Sequence, residues 1–191
     1  MAAFSIAPRY RALVLQDQSL PHIWLISDKR NDHVLEDALL RLPRSSGFIY
    51  RHYHLDDPQR FGRFRSLHRI ARARGHTIIL ADSALTAREW GADGIYGAPR
   101  SLVPRRDGML RLATAHNPKE VGLANRSGCD AVLISPIYPT RSHIEGVALG
   151  PVRFRLLARL ALMPVIALGG MDTFRAQALD WPRWAAIDGL S

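Results

Sequence analysis

The chain has 191 residues, 47% hydrophobic and 23% charged, the balance of an ordinary soluble domain with one sizeable core. That much apolar residue argues against disorder, no run approaches the roughly 18 apolar residues of a membrane helix, and a lone cysteine, Cys129, excludes an intramolecular disulfide or a cysteine-rich metal site. The net charge of +9 comes almost wholly from arginine; no nucleic-acid-binding signature accompanies it, and Lys29 and Lys119, the only lysines, interrupt no apolar strand, so Schiff-base chemistry falls away.

Residues 1–21 read as an N-terminal extension without a convincing cleavage site, which makes the cytoplasm the expected location and gives no membrane contact. From there short apolar runs alternate with longer amphipathic ones. Strands are predicted at 22–27, 47–53, 77–81, 94–97, 110–115, 131–135, 164–168 and 184–187, with helices at 33–42, 58–74, 84–91, 118–127, 151–162 and 173–179 between them. The helix over 58–74 carries Arg60, Arg63, Arg65, Arg69, Arg72 and Arg74, and a solvated face is its plain reading. Gly75 and Gly128 stop helices, and Asn117-Pro118 reads as an N-cap followed by a first-turn proline.

Parallel strands need crossovers of this length, so the pattern predicts an α/β chain, a single-domain (β/α)8 TIM barrel over 1–191. It is trimmed in two places. Ser101 to Gly108 is too short and too rich in Pro and Arg for a normal fourth helix, and no eighth helix follows the last strand. The missing helix predicts an apolar outer face near Ala185 and Ile187, covered either by a homodimer partner or by residues 10–20.

Function in such a fold belongs at the C-terminal strand ends, here Asp28, Arg51, Asp82, His116, the run from Ser135 to His143, and Gly169-Gly170. The glycine pair is either a phosphate cradle or a plain strand-to-helix turn. The long segment after Ser135 offers Thr140, Ser142 and His143 to an anion, or is a connection stiffened by Pro136 and Pro139. His52 and His54 have the spacing of a metal pair on one strand face, but no third ligand is apparent; if Arg51 points into the barrel, both histidines face the helix layer. His116 suits proton transfer, or is a satisfied turn histidine.

In order along the chain, WLISD, Tyr50-Arg51, ILAD at 79–82, GADGIY at 91–96, TAHNPKE at 114–120, GCDAVLISPIYPT at 128–140 and PVIALGG at 164–170 resemble the thiamine phosphate synthase family and its relative the thiazole tautomerase. The resemblance implies coupling of an aminopyrimidine methyl diphosphate to a thiazole phosphate, in thiamine biosynthesis, on small-molecule phosphates rather than nucleic acid. By the same resemblance Arg51, His116 and His143 are catalytic side chains, Thr114, Thr140, Ser142, Gly169, Gly170 and Gly189 contact substrate or phosphate, and Asp82 is a ligand to Mg²⁺. Departures gather on one side: Ile49 and Tyr53 replace a glutamine and a lysine, Ala81 an asparagine, Ser101 the second metal carboxylate and His143 a lysine, while Asp188 enters the phosphate corner. The resemblance therefore implies a better preserved phosphate half than metal half. It leaves a metal-independent tautomerase with His116 as acid or base, and a non-catalytic phosphate-ligand binder, as alternatives.

Overall fold

The computed structural model describes residues 20–141 and 147–191. Eight parallel strands, β1 (Ile23–Ile26), β2 (Gly47–Tyr50), β3 (Thr77–Leu80), β4 (Gly94–Gly97), β5 (Leu110–Ala115), β6 (Ala131–Ile134), β7 (Val165–Leu168) and β8 (Trp184–Ala186), form a closed barrel. Closure is made by Ile23 opposite Trp184 and Trp24 opposite Ala185. The strand period of two divides the apolar residues. Ile26, Ile49, Ile79, Leu112, Leu133, Ile166 and Ala185 fill the interior, while Leu25, Phe48, Ile78, Val132, Val165 and Trp184 face the helices. Strand β2 stops three residues short of the predicted Tyr53, because His52 adopts a left-handed φ of 41° that ends the extended path.

Six α-helices lie between strands: α1 (Leu35–Arg41), α2 (Asp57–Ala73), α3 (Ala84–Trp90), α4 (Pro118–Ser127), α5 (Gly150–Ala158) and α6 (Thr173–Leu179). Asp56, Ser83, Asn117 and Asp172 cap four of them by accepting a backbone N–H of the first turn. The solvated face expected for α2 holds for Arg65 and Arg69 only in part of the row: Arg60 is buried, Arg63 pairs with Asp32 and Glu36, and Arg72 with Asp93.

Both trimmed places are filled by single side chains. The fourth connection is a 3₁₀ turn at Pro99–Leu102, and Arg111, fully buried beneath it, donates to the carbonyls of Leu102 and Gly128. At the other place, Asn31 in the 3₁₀ turn Lys29–Val34 bridges β1 to the chain's end. Its Nδ2 donates to the Ile26 and Ile187 carbonyls and to Ser191 Oγ, each at 3.1 Å. The exposed seam expected near Ala185 and Ile187 is not there: Ala185 belongs to the barrel interior with Ile187 packed against that cluster, and the outward Trp184 and Ala186 are buried. Residues 10–19 of the proposed cover lie outside the described residues.

The N-terminal end of the barrel is plugged. Trp24 lies over Gly47, where a Cβ would come within 2.0 Å of the indole, and its Nε1 donates to the Pro21 carbonyl at 2.8 Å. Leu20 packs in the same cluster.

Candidate active site

The opposite end opens into a cavity of about 290 Å³. Seven of the predicted residues line it: Arg51, Thr114, His116, Thr140, Gly169, Gly170 and Gly189. Ser142 and His143 lie outside the described residues. Asp82 and Ser101 are not among the lining residues, whereas Tyr53, Tyr96, Ser135 and Asp188 are.

His116 follows β5 and precedes the Asn117 cap of α4. Its backbone N–H donates to the Glu120 carboxylate at 2.7 Å, and its Nδ1 lies 2.8 Å from the Ser135 carbonyl. A carbonyl only accepts, so Nδ1 carries a proton and, in the neutral ring, Nε2 carries the lone pair. That is the arrangement of a positioned acid or base.

Arg51 continues the inward phase of Ile49, as alternation requires. Its backbone is held at both ends: the N–H donates to Ser27 Oγ at 2.8 Å and the carbonyl accepts Arg60 Nε at 3.0 Å. Ser27 Oγ in turn contacts His52 Nδ1 at 2.8 Å, His52 Nε2 contacts Asp32 at 2.7 Å, and Arg63 Nε donates to Asp32 at 2.7 Å. His52 therefore faces the helix layer. A third ligand type that sequence spacing missed, Asp32, does stand with His52 and His54, their ligand atoms within 4.8 Å of one another. Both His52 nitrogens are already bonded and Asp32 is held by a guanidinium, so the group acts as a relay supporting Arg51. Burial pushes His52 below its ordinary pKa, outweighing Asp32.

Asp82 Oδ2 accepts Arg60 Nη1 at 2.5 Å, and Oδ1 accepts the Ser83 N–H at 2.6 Å. Burial raises its carboxyl, but Arg60, the Ser83 N–H and Thr86 outweigh this and hold it below the usual carboxylate range. Ser101 spends its hydroxyl on the Ala98 carbonyl at 2.8 Å. One carboxylate already neutralised by a guanidinium is a poor donor set for Mg²⁺, which binds through free carboxylates, phosphates and water. The expected Mg²⁺ site therefore does not fit these residues.

Asp188 does line the cavity, with its charge offset by Arg30 Nη1 at 3.4 Å. The corner glycines answer first to the protein. Gly169 and Gly170 have φ of 98° and 61°, and a Cβ on them would sit 2.6 Å from Pro136 Cα and 2.6 Å from the Pro139 carbonyl. Their lack of a side chain lets the loop after β6 close over the turn after β7, which places Thr140 beside them at the cavity.

The chain matches the family profile for thiamine monophosphate synthase over residues 23–180. It belongs to the thiamine monophosphate synthase family. Curated members share the sequence at moderate identity. The thiamine-phosphate synthase of Geobacillus thermodenitrificans is 32% identical over 135 residues, 66% of this chain and 59% of that protein. That of Chloroflexus aurantiacus is 29% identical over 148 residues, 74% and 67% of the two chains. The chain thus spans less than two thirds of the Geobacillus relative's length. Among solved structures, thiamine phosphate pyrophosphorylase from Pyrococcus furiosus superposes with a TM-score of 0.72 at 18% identity, covering 91% of this chain and 87% of that one, a likeness of fold. At the mouth of the cavity in this member of the thiamine monophosphate synthase family stand the Arg60–Asp82 pair and the aromatic Tyr53. The first was hidden in an arginine-rich helix; the phase of Arg60, Phe64, Leu67 and Ala71, the buried face of α2, was the signal that could have shown it.

Proposed function

We propose that this chain is a cytoplasmic thiamine phosphate synthase-like enzyme of thiamine biosynthesis that takes small phosphate substrates. In this reading the thiazole ring nitrogen of a thiazole phosphate attacks the methylene carbon of an aminopyrimidine methyl diphosphate, and the diphosphate leaves with the bonding electron pair. The observation that carries it is the single cavity that gathers Arg51, His116, Thr140 and the glycine corner. Arg51, with its backbone clamped by Ser27 and Arg60 and its guanidinium over the Tyr53 ring, offers its charge to the departing anion. Thr140 and the turn at Gly169-Gly170 receive the monophosphate. His116, with Nδ1 fixed, holds Nε2 ready to hydrogen-bond the reacting rings.

Coupling is slow in this reading, because a mouth without the usual metal donors stabilises the leaving diphosphate through Arg51. Loss of one such electrostatic contact costs on the order of a hundredfold. A second reading, proton transfer on a thiazole phosphate by His116, is favoured by the cavity's size. At about 290 Å³ it sits at the small end of ligand sites, which run from roughly 300 Å³ upward, and suits one ring with its phosphate.

The test supplies both substrates to the full chain and follows coupled product by chromatography and deuterium exchange on the thiazole phosphate by NMR. Coupling on the order of a hundredfold slower than that of the Geobacillus relative, with tighter calorimetric binding of thiazole phosphate than of the pyrimidine diphosphate, supports the first reading. Exchange without coupling, abolished by His116→Asn, selects the second. Binding of neither phosphate overturns both.

A further inference from the structure

Arg60 is 6% exposed, the one arginine on the buried face of α2, and each of its three guanidinium nitrogens donates a hydrogen bond. It donates through Nε to the Arg51 carbonyl, through Nη2 to the Ala81 carbonyl, both at 3.0 Å, and through Nη1 to Asp82. The rings of Tyr50, Tyr53 and Trp90 stand 5.5 to 5.9 Å from its central carbon, so the cation is packed among π faces. One guanidinium therefore ties the end of β2 to the end of β3 and neutralises the carboxylate that follows β3. Tyr53 stands between it and Arg51, whose central carbon lies 5.5 Å from the same ring.

A divalent ion on Asp82 would have to sit beside this cation or expel it. Expulsion would leave the buried carbonyls of Arg51 and Ala81 without their donor, and coexistence would set like charges against one another in a partly dry site. Mg²⁺ moreover sheds its water reluctantly, and the Ser101 hydroxyl is turned onto Ala98.

We infer that Arg60 stands in for the divalent cation at this mouth, so that the chain binds no metal ion at Asp82 and takes its anionic ligand as the free anion rather than as a metal complex. The second half rests on the cavity being the ligand site proposed above; the first does not.

Mn²⁺ is titrated into the full chain and followed by the electron paramagnetic resonance signal of the free ion. No saturable site is expected in the wild type, with an unchanged curve for Asp82→Asn. In Arg60→Gln, shown folded by circular dichroism, the Asp82 charge loses its counter-ion and one Mn²⁺ site appears, which Arg60→Lys lacks. Stabilisation by inorganic phosphate in a thermal melt is equal in Mg²⁺ and in excess EDTA. A wild-type Mn²⁺ site removed by Asp82→Asn, a folded Arg60→Gln that gains none, or a phosphate effect that needs Mg²⁺ overturns the inference. If Arg60→Gln does not fold, the wild-type and Asp82→Asn titrations decide. Phosphate that stabilises under neither condition counts against the cavity as ligand site and leaves the metal result standing.

Discussion

Asn31 ties the end of β1 to the residues after β8, and removing it should cost far more than a turn residue normally does. It is 2% exposed; its Nδ2 serves the Ile26 carbonyl, the Ile187 carbonyl and Ser191 Oγ, and its Oδ1 accepts the Asp28 N–H at 2.8 Å. Asn31→Ala breaks all four contacts. Ser191 and Asp28 regain water, but the two strand-end carbonyls have less access to it. At about 0.5–1.5 kcal/mol for each net bond and somewhat more for a stranded buried group, the loss is about 2–3 kcal/mol. With an m-value of about 2 kcal/mol/M, the urea midpoint falls by about 1–1.5 M. Asn31→Asp, of the same shape, is worse, since it turns an acceptor toward three acceptors. Hydrogen exchange of the backbone around Ile187 rises in both variants before that of β5 or β6. A midpoint shift below about 0.2 M, or an aspartate variant as stable as the wild type, refutes the reasoning.

Acidification should lower stability in two stages. Burial holds His52 and His76 below the ordinary 6.5, so the native state binds fewer protons there; the stability this confers is complete above pH 6.5 and is lost as pH falls through their depressed values. Asp28, Asp32, Glu36 and Asp82 are held below the usual carboxylate range, so their contribution is present above their ordinary values and disappears further down. A melting temperature that rises between neutral pH and pH 5 contradicts this, and His76→Gln should shrink the upper stage, because His76 Nδ1 accepts the Ser46 N–H and cannot do so once protonated. Two glycine-to-alanine changes should have opposite signs. Gly170→Ala, at φ 61° with the Pro139 carbonyl 2.6 Å from the new Cβ, should lose about 2–3 kcal/mol and weaken phosphate binding. Gly62→Ala in α2, where nothing lies within 4 Å, should gain about 0.5–1 kcal/mol; calorimetric melts showing equal shifts would contradict both.

The barrel was legible because period-two runs and helical runs alternate with few exceptions, and each strand lies within the span its apolar residues mark. The limits were set by backbone events that no hydropathy pattern carries, such as the left-handed His52 that cuts β2 short. At the site, that only one of the pairs Arg51/Tyr53 and His52/His54 can point into the barrel followed from strand alternation. The engagement of Asp82 did not, since its partner comes from a helix 22 residues earlier and an arginine in a basic row looks solvated. Asp32 escaped for the same reason: 20 residues separate it from His52, and only the pairing of β1 with β2 brings their ends side by side. Arg111 sits in the outward phase of β5, where a helix would normally offer apolar atoms; only the shortness of the following turn explains why carbonyls meet it instead.

The packing of an indole against Gly47 leaves the barrel a vestibule with one door. For the two-substrate reaction proposed above, that shape predicts ordered binding: a ligand seated at the floor of the cavity would enter before one seated near Tyr53 and leave after it. Initial-rate kinetics with a random-order pattern would contradict this. The order would then be set by a wall at the far end of the molecule as much as by residues that touch the ligands.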